Sequence, residues 1–232
     1  MLSFKITKAS YLRDLAKDHE ASRHPFLQSP RLSAKQALHL LFNYDAHASL
    51  LRRLLLNAAG RMPEPAVGFI LENVRNEYGN GNYDHCHQGQ LRDLMFKLAR
   101  LAPGVHPDKV SAGVRAYMKA VVEFYDPVST ETNISDSGFY IPAIIAGAIS
   151  ATEIMALDEF RSLHQSFHDF KLQKHIWFDH VTVEAEHRDE ALALAEYFLS
   201  SDKAKKAVEY GFKGVLDANC HLYDGLMEST IF

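Results

Sequence analysis

The stretch that most restricts the fold runs from residue 177 to residue 189, in the last quarter of the chain. His180, Glu184 and His187 are spaced i, i+4 and i+7, so a helix places all three side chains on one face. That face continues into apolar residues on either side, namely Trp177, Ala191 and Leu194. An apolar stripe faces a core, where two imidazoles and a carboxylate are costly to bury without partners. A metal ion would satisfy all three groups, so the stretch predicts a metal-binding helix in a helical core.

Patterns of helical period occupy most of the remaining sequence, and no segment shows the two-residue alternation of a strand. The chain has 232 residues, of which 47% are hydrophobic and 23% charged, a composition typical of one globular domain. We therefore predict an all-α fold of seven or eight helices around one core. Prolines interrupt residues 1–32, which we expect to form an N-terminal capping segment, and residues 33–232 would form the helical domain.

Charge and composition limit the partners and the location. A net charge of −4, with Lys and Arg scattered along the sequence, argues against a nucleic-acid partner. No uninterrupted apolar run approaches the length of about eighteen residues that a membrane helix needs, so no membrane span is expected. The first residues lack the apolar core of a signal peptide. Cys86 and Cys220 make no disulfide framework, and we expect a cytoplasmic location.

The first two core helices each contribute a candidate ligand. A helix is predicted over residues 34–59, with Ser33 as its N-cap. His47 lies on its inward stripe, where the ordinary role is a hydrogen-bonded core histidine and the alternative is a metal ligand. The next helix, over residues 64–78, carries Glu77 at the end of its apolar face.

A third helix is predicted to begin near Tyr83 or Asp84, after a glycine-rich turn. On that register Asp84 and His87 share the apolar face, whereas His85 points to the opposite side. Asp84 is either a metal ligand or an N-cap, since an N-cap is the common role of an aspartate at a helix start. The sequence thus predicts that His87, and not His85, faces the core.

The later part of the chain supplies one more candidate carboxylate. Helices are expected over residues 108–125, 139–170, 172–187, 189–199 and 203–228. Small residues between Ala143 and Ala148 would let a neighbouring helix approach closely. Glu153 follows Ile149 on an otherwise apolar line, which indicates either a ligand or an exposed carboxylate near a helix end.

Residues 77–87 and the motif His180-x3-Glu184-x2-His187 together resemble the iron-containing redox enzymes of the haem-oxygenase-like fold. The resemblance covers about residues 33–228 and extends, more distantly, to the TenA, PqqC and chlamydial CADD proteins. It implies a single-domain helical bundle that holds iron, as two ions, with manganese as an alternative. The metal ligands that it implies are Glu77, Asp84, His87, Glu153, His180, Glu184 and His187.

One ligand position departs from the pattern of the di-iron proteins that the chain resembles. They place a glutamate on the first core helix, and the corresponding position here is Leu50 or Leu51. His47 lies one turn earlier on the same helix face. Either His47 replaces the glutamate, or one of the two metal ions is held weakly.

The resemblance implies an O2-dependent oxidase or oxygenase that acts on a small amino- or carboxylic-acid-like metabolite. The reaction would be an N-oxygenation, a C–C cleavage or a desaturation, and the assembly could be a homodimer. Two other classes stay open: a metal-free enzyme, such as a TenA-like thiamin-fragment hydrolase or a PqqC-like oxidase, and a non-catalytic helical partner protein. The hydrolase would need a nucleophilic cysteine, and the partner protein would leave several inward polar groups without partners.

Overall fold

The computed structural model describes residues 8–127, 140–228 and 230–231, and for residues 180–184 it describes the backbone alone. Over these ranges the chain forms eight α-helices and several short 3-10 turns, and it contains no strand. The helices are α1 (Tyr11–Asp18), α2 (Ala34–Ala59), α3 (Glu64–Glu77), α4 (His87–Ala99), α5 (Ala112–Tyr125), α6 (Tyr140–Ser166), α7 (His180–Phe198) and α8 (Asp202–Glu228). The prediction of an all-α fold is confirmed.

The start of α2 shows why the first core helix could be placed from the sequence. Ser33 Oγ accepts a hydrogen bond from the amide of Gln36, and the Gln36 side chain accepts one from the amide of Ser33 at 2.8 Å. This capping box satisfies amide groups that a helix start otherwise leaves unpaired. The helix then runs over residues 34–59 as predicted, and His47 is buried on its inner face.

The predicted start of the third core helix is about one turn too early. α4 begins at His87 rather than near Asp84, because two 3-10 turns lie between residues 79 and 85. Asn82 Oδ1 accepts the amide hydrogen of Asp84 at 3.1 Å and so closes the second of these turns. Local turn chemistry therefore outweighs the helical pattern here, and Asp84 is in a turn, outside the helix.

Two further boundaries differ from the prediction. α5 begins at Ala112 rather than at residue 108, because Ser111 Oγ accepts an amide hydrogen of the first helical turn and forms the N-cap. The sequence predicts two helices, over residues 172–187 and 189–199. The structure has one helix there instead, α7, which begins at His180 directly after a 3-10 turn. Trp177 lies in that turn and so does not extend the helix face that carries the predicted ligands.

α6 and α8 cross with their backbones in contact. A Cβ atom at Gly147 would overlap the backbone carbonyl of Val208, and one at Gly211 would overlap that of Ile144. The two glycines are therefore reciprocal, because each makes room for the other helix. The small residues between positions 143 and 148 therefore allow a neighbouring helix, α8, to approach closely, as predicted from the sequence.

α6 is the central helix of the bundle and packs against α7 and α8. By length and composition it could span a membrane, a criterion that the core helices of globular proteins also meet. In this fold 72% of its most apolar window is buried inside the protein. Two carboxylates, Glu153 and Glu159, are buried on the same helix, so α6 carries both the packing and part of the candidate site.

The N-terminal segment packs onto the bundle with its own apolar side chains. α1 contacts α6, and the 3-10 turns that follow it contact α6 and α8. The side chains that join the common core are Ala9, Leu12, Ala16, Ala21 and Phe26. Residues 8–28 therefore share one hydrophobic core with the helices that follow.

Three histidines each connect a turn to a helix by two-sided bonding, in which both ring nitrogens form hydrogen bonds. In His19, His24 and His175, Nδ1 accepts the amide hydrogen of the residue two positions later in the sequence. Nε2 lies 3.0, 3.2 and 2.9 Å from an aspartate oxygen, and the aspartates are Asp217, Asp224 and Asp93, respectively. A nitrogen that accepts carries no hydrogen, so this bonding requires the neutral ring with its hydrogen on Nε2.

Candidate functional site

A cavity of about 100 Å³ lies between α2, α3, α4, α5, α6 and α8. Most of its wall is aliphatic or aromatic, but two imidazoles and three carboxylates also line it. These are His47, Glu77, His87, Glu153 and Glu159. Several titratable groups around one apolar cavity are the usual sign of a ligand-binding or catalytic site.

Glu77 and His87, which we call the α3–α4 pair, meet at the junction of those two helices. His87 Nδ1 lies 2.9 Å from Glu77 Oε1, and both side chains are largely buried. Gly79 makes this junction possible, since its φ is 75° and a Cβ atom there would lie 2.6 Å from the amide nitrogen of Cys86. The glycine-rich turn thus brings the end of α3 and the start of α4 together.

Glu153 and His187, the α6–α7 pair, are more deeply buried. His187 Nδ1 lies 4.0 Å from Glu153 Oε2, and the two residues are 4% and 7% exposed, respectively. Asn73 Nδ2 of α3 donates to the other carboxylate oxygen, Glu153 Oε1, at 2.8 Å. The amide of Asn73 therefore orients the carboxylate with respect to the histidine. The sequence pattern did not predict Asn73 as a site residue, although it precedes the buried Val74 on α3.

His47 is a buried imidazole for which the described residues provide no hydrogen-bond partner. It is 2% exposed, and neither ring nitrogen is hydrogen-bonded. Burial lowers the pKa of His47 to about 3, so the ring is neutral at physiological pH and keeps a free lone pair. The rings of Tyr44 and Tyr117 pack edge-on against it, with centroids at 4.4 and 5.6 Å. A bound cation would remove the cost of leaving this imidazole unpaired.

The remaining predicted ligands are placed differently. Asp84 is exposed and does not line the cavity, and His85 is exposed in the same turn. His180 and Glu184 lie on the first two turns of α7, but their side chains are outside the described residues. Asp84, His180 and Glu184 therefore stay predictions as ligands.

The donor set fits iron, because imidazole nitrogen and carboxylate oxygen are the ligands of non-haem iron sites in helical bundles. The described side chains contribute the α3–α4 pair, the α6–α7 pair and the unpaired ring of His47. No three His, Cys, Asp or Glu side chains within this described set lie close enough together to hold a metal ion. These residues thus supply parts of a ligand set, and their role in holding a metal ion stays a prediction.

Glu159 is a candidate functional residue that the sequence reasoning missed. It is 6% exposed and lies on the cavity wall. Tyr223 Oη donates to Glu159 Oε1 at 2.6 Å, and Tyr44 Oη donates to Glu159 Oε2 at 3.3 Å. Burial raises the pKa of Glu159 to about 7, and the two phenol hydrogen bonds oppose that rise. The carboxyl group can therefore hold or release a proton near neutral pH.

A signal for Glu159 was present in the sequence. Thr152 and Met155 of α6 precede it by seven and four residues, and Leu163 follows it by four. These positions share one helix face, which lies next to the line that led to Glu153. α6 is buried on both of these faces, so a single apolar line underestimates how many of its carboxylates are inside.

Glu159 should make the stability of the metal-free protein depend on pH. Its pKa rises from 4.5 to about 7 on folding, so the folded chain keeps a proton that the unfolded chain loses. The free energy of unfolding should therefore fall as pH rises from about 4.5 to about 7, by about 3 kcal/mol, and level off above pH 8. Urea unfolding at pH 5 and pH 8 should show this fall in the wild type and not in Glu159→Gln. Glu72→Gln, at an exposed position, should behave as the wild type; equal falls in all three proteins would contradict the prediction.

Solved structures of other proteins share this fold. A CADD-like protein of unknown function from Nostoc punctiforme superposes with a TM-score of 0.62 at 18% sequence identity, over 95% of this chain and 93% of that one. A second crystal structure of a CADD-like protein of unknown function from Nostoc punctiforme gives a TM-score of 0.61, also at 18% identity, over 96% of both chains. At this identity the likeness establishes the fold. A comparison with curated proteins gives no match.

A match in sequence identifies the family as well as the fold. The sequence model of a family described as "iron-containing redox enzyme" matches residues 13–219. The match spans the α3–α4 pair, the α6–α7 pair, His47 and Glu159. It therefore includes every candidate metal ligand and Glu159, as well as most of the bundle. The chain belongs to the family of iron-containing redox enzymes.

Proposed function

We propose that the protein is a non-haem iron oxidase or oxygenase, with two iron ions, that uses O2 to oxidise a small amino- or carboxylic-acid metabolite. The observation that carries this proposal is one apolar cavity lined by both partners of the α3–α4 pair, by Glu153 and by the unpaired imidazole of His47. Imidazole and carboxylate ligands together suit Fe(II), and membership of an iron-containing redox family supports the choice of metal.

The residues of the site have distinct roles in this proposal. Glu77, His87, Glu153 and His187 would hold the metal, with Asn73 fixing the orientation of Glu153. Bound iron would supply the binding and reduction of O2. The apolar wall places the substrate and keeps water away from it.

Glu159 is suited to moving a proton. Its pKa of about 7 lets the carboxyl group give or take a proton at neutral pH. Tyr44 and Tyr223 fix both of its oxygens, so the group is held in one orientation on the cavity wall. A proton required or released by the oxidation could therefore be held at Glu159.

A hydrolase of the TenA kind has less support. Its nucleophile would be a cysteine, and neither cysteine is among the described residues that line the cavity. Burial and the neighbouring Glu20 raise the pKa of Cys220 to about 11, which keeps the thiol protonated. The cavity also contains more imidazole and carboxylate groups than that reaction requires.

Metal analysis and oxygen uptake test the proposal. Protein purified without chelators and reloaded with Fe(II) under nitrogen should hold about two iron ions per chain by elemental mass spectrometry. It should then consume O2 faster than the same concentration of free Fe(II), and more so with an oxidisable acid. A protein that holds no iron after reloading, or whose O2 uptake equals that of free Fe(II) with every acid tried, would refute the proposal.

A further inference from the structure

Arg52 is the one lysine or arginine among the described residues that line the cavity. Its guanidinium donates to Cys86 Sγ at 3.0 Å and to Gln88 Oε1, and it lies 5.0 Å from the centroid of the Tyr78 ring. All three contacted residues are sequence neighbours of the α3–α4 pair. The positive charge therefore lies at the edge of the candidate metal site.

The guanidinium has only neutral partners within the described part of the chain. They are a thiol, an amide oxygen and an aromatic ring, and the buried Nε has no hydrogen-bond acceptor. Arg13, Arg61 and Arg92, in contrast, each lie within 4.0 Å of an aspartate. A guanidinium has five donors in a planar fork that matches a carboxylate. Arg52 thus keeps the capacity to bind an anion.

The charges around the cavity determine whether an acidic molecule can bind in it. Three carboxylates line the same space, and they would repel an acidic molecule that entered it. The fixed positive charge of Arg52 offsets this repulsion at one end of the cavity. Stacking on Tyr78 and the contacts with the start of α4 hold the guanidinium in place before anything binds.

We propose that Arg52 binds the carboxylate of the substrate, so that the protein selects small organic acids. The apolar remainder of the acid would lie against Leu51, Leu55 and Leu91, which line the cavity beside Arg52. The cavity of about 100 Å³, which is partly open to solvent, is smaller than the cavity of about 150 Å³ that accommodates benzene in a protein core. A short-chain acid therefore fits better than a long fatty acid. The inference rests on the proposed function, because the bound acid is the molecule that would be oxidised.

The test uses pentanoate and its uncharged analogue pentanamide as probes. Trp177 is the single tryptophan of the chain, is buried and lines the cavity, so its fluorescence reports what enters. Both probes are titrated into the iron-loaded protein under nitrogen and into the metal-free protein. Pentanoate should bind at least about tenfold more tightly than pentanamide in both forms, since a hydrogen bond to a charged group contributes that much.

Variants identify the residue that makes the distinction. Arg52→Gln should lower the affinity for pentanoate at least about tenfold and leave that for pentanamide unchanged. Arg52→Lys keeps the charge and should retain part of the preference. Arg53→Gln is the matched control, because Arg53 is adjacent, exposed and outside the cavity wall; it should bind both probes as the wild type does.

The inference would be overturned by equal affinities for acid and amide in the wild type, by wild-type binding of pentanoate by Arg52→Gln, or by equal losses in Arg52→Gln and Arg53→Gln. A preference for the acid only when iron is present would place the carboxylate on the metal and also overturn it. If Arg52→Gln fails to fold, the wild-type comparison and Arg52→Lys still decide. Binding of the acid by a protein that holds no iron would leave this inference standing while the proposed function fails.

Discussion

Replacing His87 by alanine should remove most of the bound iron, whereas replacing His85 should not. His87 starts α4, lines the cavity and lies 2.9 Å from Glu77, while His85 is exposed in the preceding turn. Loss of a residue that merely supports a ligand costs about 10–100-fold in metal affinity, so loss of a ligand should cost at least as much. Iron per chain, measured after dialysis against Fe(II) at a concentration well below the wild-type Kd, should therefore fall about tenfold or more in His87→Ala.

His85→Ala is the matched control for this experiment, since it removes an imidazole only two residues away. It should retain wild-type iron content and wild-type O2 uptake. Thermal unfolding of both metal-free variants would show whether His87→Ala still folds. Equal iron content in a folded His87→Ala and the wild type would mean that the α3–α4 pair is a structural hydrogen bond, and the proposed metal role of that pair would be lost.

Adding one methyl group at the crossing of α6 and α8 should produce the largest loss of stability that a small substitution can cause here. In Gly211→Ala the new Cβ would overlap the backbone carbonyl of Ile144, and in Gly147→Ala that of Val208. Neither obstacle is a side chain that can rotate away, so the helices must separate. We expect each variant to lose about 3 kcal/mol of unfolding free energy, which lowers the melting temperature by about 6–12 °C.

Gly68→Ala provides the control for the crossing variants. Gly68 is an exposed residue inside α3, and a Cβ atom there would meet nothing within 4 Å. Alanine should therefore stabilise α3 by about 0.5–1 kcal/mol, because it restricts the unfolded chain more than glycine does. Thermal or urea unfolding measures all three variants. Melting temperatures at or above that of the wild type in Gly147→Ala and Gly211→Ala would show that the helices separate at little cost.

The sequence determined the helical fold because periodicity and caps act locally. α2 matches its prediction over residues 34–59, where a capping box and a regular apolar stripe agree. The starts of α4 and α5 were placed too early, because the turn bonds made by Asn82 and the cap formed by Ser111 intervene. Such bonds depend on a few side-chain atoms and are not visible in an apolar pattern.

The candidate site was only partly predictable, for a related reason. Glu77, His87, Glu153 and His187 were predicted from motifs and helix faces, and each lies in one of the two carboxylate–histidine pairs. Glu159 could not be recognised as functional, because its raised pKa arises from burial in the folded protein, which outweighs the opposing hydrogen bonds from Tyr44 on α2 and Tyr223 on α8. Arg52 was missed likewise, since its lack of an acidic partner is a property of the folded cavity.

The two-sided bonding of His19, His24 and His175 affects how much bound iron raises the melting temperature. Both ring nitrogens of each are engaged in the folded chain, so these rings offer no lone pair to a metal ion. Unfolding releases them among the 13 histidines of the sequence, and the denatured chain then becomes a chelator in its own right. A metal that also binds the denatured chain raises the melting temperature by less than its affinity for the folded protein would give. Competition with a chelator at a temperature where the protein stays folded therefore gives the larger and correct affinity.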